Sequence, residues 1–230
     1  VEAACNRSAE GRRQAREAGG ILRTYRAIGE MLEREQPDGV LCCVSYPQMA
    51  EAAREILPHR LPTLLEKPPG TSLEEFAALC QSAATTGTRV QVAVNRRHYS
   101  VLRKALEDAG GIEALTGVFV DWSEQPASFL KRGFSRPAVE RLIFANSLHA
   151  LDLITHLAGP VPDPSVQVRN LGKTLRWNMA LTGLSERGVL VSFTSTWDSP
   201  ARWRLSLTSP GRRYILAPLE TCSVLEQGSW

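Results

Sequence analysis

The sequence of 230 residues is long enough for one large domain or two small ones around a sizeable core. Hydrophobic residues make up 43% and charged residues 22%, the balance of a folded chain rather than a disordered one. A formal charge of +3 is too small to argue for nucleic acid or an anionic membrane as partner, and no apolar run approaches the roughly 20 residues of a spanning helix.

In chain order, "VEAACN" (1–6) reads as a strand. "AEGRRQAREAG" (9–19) reads as a helix with Ser8 as its N-cap and Gly19 near its end. "AIGEMLERE" (27–35) is a second helical stretch. "DGVLCCVS" (38–45) is an apolar run after a turn signal, the pattern of a strand buried on both faces. Helix follows in "PQMAEAAREIL" (47–57), with Pro47 at its start. "PTLLE" (62–66) is a short strand. "SLEEFAALCQSAATTG" (72–87) is a helix with Ser72 and Glu75 at capping-box spacing, and "RVQVAVN" (89–95) is a strand. This strand–helix rhythm predicts an α/β domain with a parallel sheet, whose ligands bind beyond the carboxyl ends of the strands. The loops after Asn6, at Ser45-Tyr46-Pro47 and at Glu66-Lys67-Pro68 therefore matter on geometric grounds, as does Asn95 at the end of its strand.

The character changes near residue 98. "YSVLRKALEDAG" (99–110) predicts a helix, "ALTGVFVDWSE" (114–124) a strand, and 135–159 contains the longest helical pattern of the second half, ended by Gly159-Pro160. Strand-like segments follow near 165–171, 174–183, 188–197, 202–208, 212–217 and 220–226, with turn residues at "NLG", "SERG", "DSP" and "SPGR". Short connections of this kind predict a mostly antiparallel, open sheet. The expected layout is a partial Rossmann-like domain over 1–96 and an α+β domain over 97–230. Cys5, Cys42, Cys43, Cys80 and Cys222 are odd in number and lack paired or metal-ligand spacing, which predicts buried free thiols at 42–43, no metal site and a reducing, cytoplasmic compartment. Trp122, Trp177, Trp197 and Trp203 fall in strand-like segments and read as core or interface residues.

Two side chains draw attention. Lys67, in "LLEKPPG", stands at the carboxyl end of a parallel strand, where an ammonium group can hydrogen-bond a substrate hydroxyl and stabilise alkoxide charge. Glu66 can orient it, and Pro68-Pro69 stiffen the turn and allow a cis X–Pro bond. A solvated lysine on a surface turn is the competing reading. His149 and Asp152 are three residues apart and share a helix face. Histidine titrates in the range useful to a general acid–base, and it also occurs as a satisfied core residue among leucines.

The combination resembles the glucose–fructose oxidoreductase/inositol dehydrogenase family, Gfo/Idh/MocA. "LLEKPPG" is similar to its Glu-Lys-Pro motif, "VAVNRRHYSVLRKALE" to the strand and helix that follow, and "FANSLHALDLITHLAG" to its His-x-x-Asp helix. The resemblance implies a Rossmann domain and a second domain whose open sheet forms a homo-oligomer interface. It also implies an NAD(P)-dependent oxidoreductase acting on a sugar, cyclitol or nucleotide sugar. Lys67 and His149 take the catalytic positions. Asn6, Arg7, Ser8, Ser45, Pro47, Glu66, Lys67 and Asn95 take cofactor positions. Lys67, Arg97, Asn146, His149 and Asp152 take substrate positions. Arg96, Arg97, Arg132, Arg136 and Arg141 could converge on a substrate phosphate or carboxylate, or stay solvated.

Departures from the family pattern qualify this. The acidic residue four before the histidine is replaced by Ala145, followed by Asn146. The acidic residue that binds ribose hydroxyls in NAD-specific members is replaced by Asn6-Arg7-Ser8, which favours a 2′-phosphate and hence NADP over NAD. No G-x-G-x-x-G occurs, so the phosphate-binding turn and a central strand are expected upstream of Val1, and the chain is expected to be a fragment or a shortened gene product. "VLEQGSW" likewise stops just after a strand. A non-catalytic remnant or regulatory subunit, and redox-assisted glycoside hydrolysis, are the alternative functions.

Overall fold

The computed structural model describes residues 1–170, 175–200 and 203–228. It divides into two compact units, Val1–Ala93 and Val94–Trp230. The expected turn at Asn170-Leu171-Gly172, the first residues of the segments near 174 and 202, and the final Ser229-Trp230 fall wholly or partly outside the described residues. No helix among the described residues is long and apolar enough to cross a membrane.

In the first unit every strand pairing is parallel. β1 (Ala3–Cys5) pairs with β2 (Arg23–Tyr25) across α1 (Ala9–Glu17). After α2 (Ile28–Glu35), β3 (Val40–Cys42), β4 (Thr63–Leu65) and β5 (Val90–Val92) form a second sheet in sequential order. The crossovers are α3 (Met49–Ile56) and α4 (Leu73–Thr86). Ser8 caps α1 by accepting from Gly11 N at 2.9 Å, as its position before the helical pattern predicts. Ser72 caps α4 in the same way, accepting from Glu75 N at 3.2 Å. Glu75 reaches one residue beyond a capping box, to the Thr71 backbone N–H at 2.6 Å and hydroxyl at 2.9 Å. Pro47 lies in a single 3₁₀ turn, Tyr46–Gln48, that leads into α3.

Two expectations for this unit are corrected. β3 is buried on one face only: Val40 and Cys42 pack with Met49, Ala53, Ile56, Leu57 and Leu65, whereas Leu41 is 63% exposed and Cys43 is exposed. The period-two alternation of a strand sends 41 and 43 away from the face that α3 covers. The pairing of Cys42 and Cys43 as buried thiols is therefore wrong for Cys43. β2 lacks an apolar run and was not legible; Arg23 joins the sheet at its ends by ion pairs to Glu2 (3.0 Å) and Glu35 (3.1 Å).

The second unit is built on a seven-stranded sheet. Its members are β6 (Gly117–Asp121), β7 (Ser165–Asn170), β8 (Trp177–Leu184), β9 (Leu190–Thr196), β10 (Arg204–Ser209), β11 (Arg212–Leu216) and β12 (Ser223–Glu226). The order is β12-β11-β10-β6-β9-β8-β7, antiparallel except where β6 runs parallel to β9. α5 (Ser100–Ala109) and α9 (Leu148–Ala158) contribute to the core on one face, where Leu102, Leu153 and Leu157 pack on Val118, Val120, Val191, Leu205 and Leu207. The opposite face carries Phe119, Asp121, Ser192, Thr194 and Arg213 around a shallow groove.

The long helical pattern over 135–159 is broken into α7 (Arg136–Glu140), α8 (Leu142–Ala145) and α9, preceded by α6 (Pro126–Lys131). The breaks fall at Arg141 and at Asn146-Ser147. At the second of these, both side chains hydrogen-bond to a carboxylate outside the helix, an alternative that short polar side chains offer to continuous helix.

Candidate functional site

Polar residues gather at the carboxyl ends of the parallel strands in the first unit. β1 ends at Cys5, and the ladder continues for one bond, Asn6 N donating to Tyr25 O at 3.0 Å. The Asn6 carboxamide oxygen then accepts from the backbone N–H and the hydroxyl of Ser8, both at 3.0 Å. This local turn leaves Arg7 exposed beside it. Arg12 clasps the same turn from below, donating to the Asn6 and Arg7 carbonyls at 2.7 and 3.0 Å. A Cβ at Gly11 would lie 2.2 Å from the Asn6 side chain, which would have to give up its present position. Ser45 and Pro47 are exposed in the loop after β3, with Gln48 N bonded to Ser45 O at 2.8 Å.

The loop after β4 is tied down at both ends. Glu66 N donates to Cys42 O at 2.9 Å, and Glu66 Oε2 accepts from the Lys67 backbone N–H at 2.8 Å. The Lys67–Pro68 bond is cis. Pro68, Pro69 and Gly70 are buried, while Lys67 is half-buried. The rigid part of the turn thus lies inside, and the lysine side chain projects from a fixed base.

In the second unit, Asn95 is exposed and opens a 3₁₀ turn, Asn95–His98. Arg97 in that turn forms a two-pronged ion pair with Asp152 on α9, Nε to Oδ2 at 3.0 Å and Nη2 to Oδ1. The hydrogen bond to Asp152 raises the Arg97 pKa further above its ordinary value. The two substrate candidates Arg97 and Asp152 are therefore brought together and engage each other. His149 sits in the first turn of α9, only 4% exposed, with its backbone N–H donating to Asn146 O at 3.2 Å.

Asn146 also lines a cavity of about 530 Å³ with Glu124, Arg132, Trp203 and Glu220. Arg96, Arg97, Arg136 and Arg141 are not in that lining. Arg96 lies over the rings of Tyr99 and Trp203 at 5.0 and 5.5 Å, and Arg136 pairs along its helix with Glu140. Arg132 lies over Phe129 at 4.4 Å. Trp122 is buried and stacks on Trp203 at 3.9 Å, in keeping with a packing role.

Glu124 was missed by the sequence reading. It is 1% exposed and accepts from Trp122 Nε1 (3.2 Å), Ser147 Oγ (2.8 Å) and Asn146 Nδ2 (2.8 Å). The alternation of β6 buries Val118 and Val120 but ends at Asp121, and Trp122, Ser123 and Glu124 are all buried beyond it, so no period-two pattern marks the carboxylate.

His156 lies two turns beyond His149 along α9 and is half-buried. Burial first, and then the positive charge of Arg97, hold its pKa below the ordinary histidine value. Between that lowered value and about 6.5 the unfolded chain binds the additional proton, so stability is fullest above about pH 6.5 and is lost as pH falls through the folded-state pKa. His156→Asn is expected to flatten the acid limb of a plot of Tm against pH. An unchanged limb would show that His156 carries none of the acid sensitivity.

Comparison with known proteins follows the division into units. Residues 1–94 match the model of a family described as "Oxidoreductase family, NAD-binding Rossmann fold". The rhizopine catabolism protein MocA of Rhizobium meliloti is 31% identical over 113 residues, which are 47% of this chain and 35% of that protein. The match thus spans about a third of the curated relative's length. A dehydrogenase from Chromobacterium violaceum has the same fold with a TM-score of 0.82 at 18% identity, over 98% of this chain and 67% of that one. The WlbA dehydrogenase from Bordetella pertussis, solved with NADH and UDP-GlcNAcA, gives a TM-score of 0.79 at 15% identity, over 99% of this chain and 75% of that one. The expected fold class, a Rossmann-like parallel α/β part followed by an α+β part with a mostly antiparallel sheet, agrees with these structures.

Proposed function

We propose, from the premise that residues 1–94 belong to the Gfo/Idh/MocA oxidoreductase family, that this chain serves an NAD(P)-dependent oxidoreductase acting on a hydroxyl or carbonyl carbon of a sugar, cyclitol or nucleotide sugar. The observation that carries the reading is Lys67, half-buried on a tied-down turn at the carboxyl end of β4. Parallel α/β sheets bind their ligands at that end. The nucleotide-sugar part of the reading draws support from the complex of WlbA with UDP-GlcNAcA.

The residues around Asn6 fit a dinucleotide. The Asn6-Ser8 turn offers an amide and a hydroxyl to a ribose, and Arg7 stands exposed beside them. Ser45, Pro47, Glu66 and Asn95 border the other loops the cofactor would follow. A bound nicotinamide supplies the hydride exchange. For the chain's own residues, the resemblance gives Lys67 the role of holding a substrate oxygen through its ammonium group and His149 the role of acid–base for the hydroxyl proton. Arg97, Asn146 and Asp152 shape the substrate side. A second copy of the chain is the proposed partner for the outer face of the seven-stranded sheet around Phe119 and Arg213.

The test is fluorescence titration with NADPH and NADH. Arg7 adjoins an uncharged Asn6, so NADPH is expected to bind more tightly. A charge-assisted hydrogen bond contributes about 1.5–3 kcal/mol, so Arg7→Ala should weaken NADPH by roughly 10-fold or more and leave NADH little changed. Equal loss for both cofactors would remove the NADP preference. Failure to bind either would overturn the oxidoreductase reading for this chain and favour a non-catalytic remnant.

A further inference from the structure

The most deeply buried carboxylate among the described residues belongs to Glu124, at 1% exposure, on the cavity wall of the second unit. We infer that Glu124 is the positioning residue of the candidate site, fixing both the helix break before His149 and the way Asn146 faces the cavity. This inference rests on the proposed function only for its biochemical meaning, since the geometry stands without a cofactor.

The reasoning starts from donors and acceptors. A carboxylate offers only acceptors, whereas a carboxamide offers an NH₂ at one end and a carbonyl at the other. Of the two ends of the Asn146 carboxamide, only Nδ2 can therefore donate to Glu124 Oε2, at 2.8 Å. That assignment leaves Asn146 Oδ1 as the end available to a ligand. The wall is thereby set to accept a hydrogen bond, as a substrate hydroxyl would donate. Glu124 is itself held: Oε1 accepts from Trp122 Nε1 at 3.2 Å and from Ser147 Oγ at 2.8 Å, and Trp122 is clamped against Trp203.

The same bonds act on the helix. The helix is interrupted between Ala145 and Leu148, where Asn146 and Ser147 turn their side chains to Glu124. The carbonyls of these two residues then open α9, Asn146 O accepting from His149 N at 3.2 Å and Ser147 O from Ala150 N at 3.0 Å. Glu124 thus reaches His149 through one residue. Ala145, four before His149, bears no carboxylate, and the carboxylate that bonds Asn146 comes instead from the segment between β6 and α6.

Glu124→Gln isolates the effect. Its carbonyl can still accept from Trp122 and Ser147, but its NH₂ faces the Asn146 NH₂ and forces the Asn146 carboxamide to turn over. In ¹⁵N-labelled protein without any ligand, the Asn146 side-chain NH₂ pair and the His149 imidazole signals are expected to shift in Glu124→Gln. The near-UV circular dichroism of the Trp122–Trp203 stack should be retained. Restoring complementarity with the double variant Glu124→Gln plus Asn146→Asp should return the His149 signals toward their original positions. Superimposable His149 and Asn146 spectra in wild type and Glu124→Gln, with the stack intact, would overturn the inference, as would a double variant that restores nothing. None of these readouts uses cofactor or turnover, so failure to bind NAD(P)H would sink the proposed function while leaving this result in place.

Discussion

His149→Asn is expected to lower turnover about 10²–10⁴-fold, the usual contribution of a positioned acid–base group, while the cofactor Kd stays within about twofold. The imidazole is buried at the start of α9, so asparagine is preferred to alanine because it leaves less empty volume and keeps a polar end. Lys67→Met should cost about 10²–10³-fold, because it removes the charged donor that the proposed function places on the substrate oxygen and nearly preserves the volume of the stem. The measurement is steady-state oxidation or reduction over a panel of sugars, cyclitols and nucleotide sugars, with circular dichroism to confirm that each variant folds. Loss of kcat at constant cofactor affinity supports the assigned roles. Unchanged turnover in either variant would remove that residue from the mechanism.

The second large effect concerns stability. Leu157→Ala should destabilise the second unit by about 2–5 kcal/mol, since Leu157 is fully buried where α9 meets the sheet and the cavity cannot collapse against strands held by two neighbours each. Trp122, Trp177, Trp197, Trp203 and Trp230 all belong to the Val94–Trp230 unit, so intrinsic fluorescence during urea unfolding follows this unit. The midpoint should fall with little change in slope. Leu184→Ala is the control: Leu184 is 60% exposed at the end of β8, and its loss should stay within about 0.5 kcal/mol. Equal effects from the two substitutions would contradict the packing described for α9.

Local signals proved informative where a residue acts on its own neighbours. Ser8 and Ser72 cap their helices by bonding three residues ahead, an interaction already contained in the spacing. The carboxyl-end loops with Asn6, Ser45 and Lys67 followed from the strand–helix rhythm, because a parallel sheet fixes which end of each strand carries the ligand loops. Signals failed where a neighbour distant in sequence intervenes. Cys43 resembles Cys42 in composition, but only one face of β3 is covered by α3. The 135–159 segment contains a helical pattern, and its interruption at Asn146-Ser147 coincides with hydrogen bonds to Glu124, 22 residues from Asn146.

From the sequence alone came the parallel α/β half, the mostly antiparallel half, the helix caps and the positions of Lys67 and His149, all consequences of periodicity and short-range hydrogen bonding. Tertiary structure decided the parallel pairing of β6 with β9, the mutual engagement of Arg97 and Asp152 across 55 residues, and the burial of Glu124 beneath Asn146. These contacts join groups that are close only after the sheet has formed, and no local pattern records them.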